Sequence, residues 1–117
     1  DDALEEVEEA MLSDMSLLRI SLTIFIVKYR IETPSSFAKA LKRCIKRGLK
    51  YELFETVVKI LASEGSLPSK YRPHKLSGKY DGLWECHIQP DWLLIWRQDD
   101  TELVLVMINT GSHSDLF

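Results

Sequence analysis

Two dense apolar runs near the C-terminus, Trp92–Trp96 and Leu103–Ile108, constrain this chain more than any other feature. Both are short and flanked by turn residues: Pro90-Asp91 before the first, Asp99-Asp100 between them, Gly111 after the second. Runs of this length and flanking read as strands. With a third segment they give expected strands at Leu83–Ile88, Trp92–Gln98 and Glu102–Thr110, a small antiparallel meander. All three histidines belong to the same part of the chain, each beside a turn residue: His74 after Pro73, His87 shortly before Pro90, His113 shortly after Gly111. The meander would bring three imidazoles and Asp91 to one end or face of a sheet. Imidazole titrates at about 6.5, which suits proton transfer near neutrality.

Upstream, residues 18–33 are rich in β-branched and aromatic side chains, and the half nearest Tyr29 is expected to form a first strand. A helix is expected from Pro34, with Thr33, Ser35 or Ser36 as possible caps. Its apolar stripe is Phe37, Leu41, Cys44 and Ile45, and its other faces carry Lys39, Lys42, Arg43, Lys46, Arg47 and Lys50. Gly48 ends it or bends the turn. A second helix, near Glu52–Ser63, places Leu53, Val57, Ile60 and Leu61 on one face, widened by Phe54 and Val58, and Gly65 closes it. Residues 66–82 form a turn-rich connection holding Lys70, Arg72, Lys75 and Lys79, with no acid until Asp81. The expected fold is α+β: a helical hairpin on one face of a small antiparallel sheet, in the order β-α-α-β-β-β.

At 117 residues the chain has the size of one domain. Its net charge of −3 conceals segregation. Residues 1–16 carry seven acids and no Lys or Arg, leaving 15 basic against 11 acidic residues, a net of +4, for the rest. Within 28–79 the count is 13 basic against four acidic. A basic body points to a polyanionic partner such as nucleic acid, or equally to a solvated helix face. The acidic segment 1–16 reads as an N-terminal extension with a helical pattern, separate from a single domain over 17–117. Leu4, Val7, Met11 and Leu12 give it only a narrow apolar stripe. The apolar stretch Leu17–Ile31 is interrupted by Arg19, Lys28 and Arg30 and is shorter than the ~20 residues of a membrane span. Two cysteines and an acidic flank in place of a secretory leader lead to an expectation of a cytoplasmic protein without a membrane partner.

Several chemistries find no support. Cys86 and His87 are adjacent, so a strand would point them to opposite faces, away from a common metal ion. No paired ligand spacing, glycine-rich phosphate loop or Gly-x-Ser-x-Gly motif is present, and neither a metal nor a cofactor is expected. Any one histidine alone is more often structural, and Asp91 after Pro90 more often an ordinary turn residue. Together they suit RNA cleavage. RNA carries its own nucleophile in the 2′-hydroxyl, so the protein need supply only a base, an acid and positive charge at the phosphorane.

The string His-Ile-Gln-Pro-Asp-Trp-Leu-Leu-Ile-Trp over 87–96 and Asn-Thr-Gly-Ser-His-Ser-Asp-Leu-Phe over 109–117 resemble the YafQ branch of the RelE-like toxins. The resemblance covers roughly residues 27 to 117. It implies the RelE/ParE-like fold and a toxin of a type II toxin–antitoxin pair. It implies an endoribonuclease that cuts messenger RNA on the ribosome, contacts ribosomal RNA, inhibits translation and is neutralised by a cognate antitoxin. By the same resemblance His74, His87, Asp91 and His113 match the catalytic site, with His113 the favoured acid and Asp91 or His87 near the base. Phe117 matches a C-terminal aromatic placed at the site. Trp92 also matches and is a candidate RNA contact, although a strand tryptophan is more often core. The basic helix and the 70–79 connection would hold RNA phosphates. One departure stands out: where the family usually has arginine before Thr-Gly, this chain has Asn109. On a regular strand Asn109 shares a face with Leu103, Leu105 and Met107. An asparagine offers amide donors without charge, so a catalytically weak relative that binds ribosome or antitoxin is the alternative. The related ParE-like toxins, which act on gyrase, lack this histidine set.

Overall fold

The structure is a computed structural model, and it describes residues 27–117. The acidic segment 1–16 and most of the apolar stretch that follows lie outside the described residues.

Helix α1 spans Ser35–Lys46. It buries Phe37, Ala40, Leu41, Cys44 and Ile45, which recur at three- and four-residue intervals and so share one face. Pro34 takes the N-cap position at φ −57°, and none of the neighbouring hydroxyls caps the helix. Gly48, at φ 101°, turns the chain into helix α2, Tyr51–Glu64. The buried face of α2 is centred on Phe54, Val57, Val58 and Leu61, while Leu53 and Ile60 are only half-buried. Gly65 ends α2 in the left-handed conformation at φ 71°. A Cβ there would come within 2.7 Å of the Tyr29 ring, so this position needs glycine twice over.

Five strands form one sheet: β1 Arg30–Glu32, β2 His74–Lys75, β3 Trp84–Gln89, β4 Trp92–Asp99 and β5 Val104–Gly111, in the order β1-β5-β4-β3-β2. The meander is present, with β2 through β5 antiparallel. The sheet is nonetheless mixed, because β1 pairs parallel with β5, Arg30 against Val104. No hairpin joins those two strands; the intervening chain is long enough for the crossover that parallel pairing requires. Strand β2 has only two residues, too short for any periodicity to betray.

The two faces of the sheet bury different sets. Both helices pack over Cys86, Ile88, Trp92, Leu94, Trp96, Leu105 and Met107. Leu93 and Ile95 point the other way, into a smaller cluster with Leu116, flanked by Leu76, Tyr80, Leu83 and Ile108. Strand β4 is thus covered on both sides, which is why its sequence is continuously apolar rather than alternating.

An irregularity in β5 repositions one predicted site residue. Ile95 pairs with Asn109, but Trp96 pairs with Met107, so Ile108 is an extra residue in a β-bulge. Asn109 does not share a face with Leu105 and Met107. As the cross-strand partner of Ile95 it lies on the face away from the helices.

Candidate active site

The face away from the helices carries the histidines. His74 pairs with Glu85 across β2 and β3, Glu85 with Ile95, and His87 with Leu93. His113 opens a short helix, α3, His113–Leu116, that folds back from the end of β5. The rings form a row: His74 to His87 at 6.3 Å between centroids, His87 to His113 at 5.9 Å, His113 to Phe117 at 6.4 Å. Phe117, 65% exposed, also meets the edge of Tyr80 at 5.5 Å.

Hydrogen bonds differentiate the imidazoles. The Nδ1 of His74 lies 2.8 Å from the Arg72 carbonyl and its Nε2 lies 3.1 Å from Glu85 Oε1, so both nitrogens face oxygen acceptors. Nδ1 of His87 donates to the Pro90 carbonyl at 3.2 Å. Nδ1 of His113 donates to Asp91 Oδ1 at 2.8 Å, and the His113 backbone N–H donates to the same oxygen at 2.9 Å. Among the described residues neither Nε2, of His87 or of His113, has a hydrogen-bond partner. In each ring the bonded Nδ1 fixes which nitrogen is left to act. The backbone N–H and imidazole of His113 hold the Asp91 carboxyl below its ordinary pKa, so it remains an anion beside that ring.

Glu85 escaped the sequence reading. It is 4% exposed, and its Oε2 has no hydrogen-bond partner among the described residues. The signal was present: Glu85 and His87 are two apart on one strand and must share a face. Cys86, between them, points into the core, and burial pushes its thiol up to about 12. A protonated, buried thiol is no nucleophile.

The C-terminal turn is held as firmly as the row. Ser112 and Asp115 form a capping box at the start of α3. Arg47, just past the end of α1, donates from Nη1 to Asp115 Oδ2 at 2.5 Å. That bond, with the Ser112 backbone N–H, holds the Asp115 carboxyl far below the ordinary carboxylate range.

The proposed RNA contacts divide. Lys70 and Arg72 line an open groove of about 500 Å³ together with Leu53, Tyr71 and His87. Lys79 sits over the Tyr80 ring, at the Phe117 end of the row. Lys75 instead lies over Trp84, which packs with the larger core. Lys39, Lys42, Arg43, Lys46 and Lys50 belong to α1 and its turn, on the other side of the sheet from the imidazoles. Trp92 is not available as an RNA contact. It is fully buried beneath the helices, and its Nε1 donates to Thr110 Oγ1 at 2.8 Å. Strand β4 carries Trp92 and Leu94 to the helix face, so the ring sits opposite the histidine side. Asn109 is half-buried, and its Oδ1 accepts the Thr110 N–H at 2.9 Å, leaving an uncharged amide as its only donor.

Comparison with known proteins agrees with the fold. Residues 29–117 match the family described as the bacterial toxin of type II toxin–antitoxin system, YafQ. The mRNA interferase toxin YafQ of Escherichia coli (strain K12) is 29% identical over 93 residues, covering 79% of this chain and 99% of the relative. A metal-bound toxin from Helicobacter pylori is 40% identical with a TM-score of 0.69, over 76% of this chain and 99% of that one. The toxin in the E. coli DinJ–YafQ complex is 30% identical with a TM-score of 0.69, over 76% of this chain and 98% of that one. With the family matched over the whole described domain, this chain belongs to the YafQ toxins of type II toxin–antitoxin systems.

Proposed function

We propose that this chain is an endoribonuclease that cuts messenger RNA on the ribosome by attack of the 2′-hydroxyl, and that a cognate antitoxin neutralises it in the cytoplasm. The relatives support the class of activity: E. coli YafQ is named an mRNA interferase, and E. coli YafQ is also seen in complex with DinJ. The single observation that carries the mechanism is the pair of rings, His87 and His113, 5.9 Å apart with both Nε2 atoms unbonded among the described residues. A phosphate between them would meet a base on one side and an acid on the other.

In this reading His87 Nε2 takes the 2′-OH proton while the 2′-oxygen attacks phosphorus. The P–O5′ bond breaks, and the departing 5′-oxygen receives the proton from Nε2 of a charged His113. Asp91 holds His113 by Nδ1 and so turns Nε2 toward the reacting atoms. Of the two candidates for the base, His87 fits better, because Asp91 Oδ1 is already engaged by His113 twice. His74, bracketed by Arg72 and Glu85, keeps no ring nitrogen free and acts as a fixed polar wall. Phe117 offers an exposed ring on which a base can stack. Lys70, Arg72 and Lys79 are placed for phosphates nearest the cut.

The reaction yields a 2′,3′-cyclic phosphate and a 5′-hydroxyl, with no metal required. Cleavage of ribosome-bound message is therefore expected to continue with EDTA at concentrations that leave ribosomes intact. The triple variant His87→Ala/Asp91→Ala/His113→Ala should be inactive. Fragments ending in 3′-hydroxyl, or EDTA-abolished cleavage on intact ribosomes, would overturn the mechanism. The weaker-enzyme reading retains one specific support, the neutral amide at Asn109.

A further inference from the structure

Arg47 reads in the sequence as one more cation on a basic helix, a phosphate contact like its neighbours. Its position in the fold is different. It follows the last turn of α1, and its guanidinium reaches across 68 positions of sequence to Asp115. The Asp115 oxygen that it binds, Oδ2, also accepts the Ser112 backbone N–H at 2.8 Å. Asp115 N–H in turn donates to Ser112 Oγ at 3.2 Å. The carboxylate lies against Gly111, where a Cβ would come within 2.7 Å of Asp115 Oδ2. Ser112 is bonded directly to His113. The segment carrying the acid is therefore fixed from two directions: by Asp91, from the β3–β4 turn, and by Arg47, from the helix layer on the other side of the sheet.

We propose that Arg47 is a positioning residue for His113, acting through Asp115 and Ser112, and not an RNA-phosphate contact. This rests on the endoribonuclease reading above. The ion pair is half-exposed on the Arg47 side, so its value is geometric more than energetic. An α3 of four residues cannot hold its own angle and needs an external tether. The fork of the guanidinium supplies direction that a lysine would not.

The test compares Arg47→Gln, Arg47→Lys and Asp115→Asn in the full chain, with the double variant Arg47→Gln/Asp115→Asn. Single-turnover cleavage on programmed ribosomes should fall about tenfold in Arg47→Gln and in Asp115→Asn, short of the roughly 100-fold that a 1 Å misplacement costs. The double variant should fall no further, because both changes remove one tether. Arg47→Lys should recover part of the loss. Affinity for ribosomes and its salt dependence should stay unchanged. A phosphate contact would instead reduce the salt slope by about one in Arg47→Gln and leave Asp115→Asn unaffected. That result, or additive losses in the double variant, overturns the proposal. Imidazole cross-peaks in 13C-labelled protein provide a readout independent of activity. His113 should shift in both single variants, with His74 unmoved. If the parent protein cuts no RNA, the endoribonuclease reading fails, while an unmoved His113 resonance rejects the tether on its own.

Discussion

Replacing Asn109 with arginine tests the site most directly. The bulge at Ile108 turns position 109 toward the imidazole face, so an arginine there would project beside the row and not into the helical core. Two effects oppose each other. The Asn109 Oδ1 acceptor for Thr110 N–H is lost, which costs about 0.5–1.5 kcal/mol of folding stability. Catalysis gains a charged, two-pronged donor at the phosphorane, and such a preorganised donor typically contributes ~2.7–4 kcal/mol. Only the second term enters the barrier from bound substrate. Nearby cations, Arg72 or Arg97, can already supply part of it; Arg97 lies on this face, opposite Val106. A gain of about 1.4 kcal/mol or more remains, tenfold or greater in rate. The assay is single-turnover cleavage of message on saturating ribosomes, with ribosome affinity measured separately and expected to change much less. Asn109→Arg should be faster by at least that factor and slightly easier to melt. Equal rates for the two forms, with the variant folded, would mean that another cation fills the role and that the account of the site is wrong.

Three further outcomes follow from the geometry. Trp92→Phe removes the buried hydrogen bond to Thr110 and some ring volume, so urea melts should show a loss of about 1–3 kcal/mol with RNA affinity unchanged; weakened RNA binding by a stably folded variant would refute its core assignment. Asp115 has a folded pKa below its ordinary 3.8, so its ion pair adds stability above that value and loses it as pH falls further. The melting-temperature gap between the parent and Asp115→Asn should accordingly be constant from pH 7 to 5 and shrink as pH falls below 3.8, and a gap as large at pH 2 as at pH 7 would contradict this. Phe117→Ala should weaken RNA binding by about 1–3 kcal/mol if a base stacks on the ring, with little effect on thermal stability given its exposure.

What could be read from the sequence, and what could not, divides along physical lines. Both helices were legible because their apolar spacing survives without neighbours: Phe37, Leu41, Cys44 and Ile45 mark α1 on their own. The central strands were legible because Trp92–Trp96 is too apolar to lie anywhere but between two layers. Parallel pairing of β1 with β5 was not, since nothing local distinguishes which neighbour a three-residue edge strand chooses. The face of Asn109 was misjudged because a bulge shifts alternation by one residue without leaving any trace in composition. Of the candidate site, the structure gathers His74, His87, Asp91, His113 and Phe117. It removes Trp92, whose ring the same alternation delivers to the core. Arg47 was read as a phosphate contact and Glu85 was passed over, for opposite reasons. Arg47 looks like any surface cation until its partner 68 positions away is known. Glu85 was deducible from its two-residue spacing to His87.

The place of β5 in the sheet bears on how such a protein can be made. It lies between β1 and β4, so the first and last strands of the described domain are hydrogen-bonded neighbours, Arg30 against Val104. The helices can form early in synthesis, but the sheet stays open until residues 104–111 have emerged, and the row of imidazoles is incomplete until His113 follows. At about 5–20 residues per second, translation delivers those residues seconds after the helices. For the endoribonuclease proposed above, this order would leave the nascent chain without a complete site until His113 has emerged.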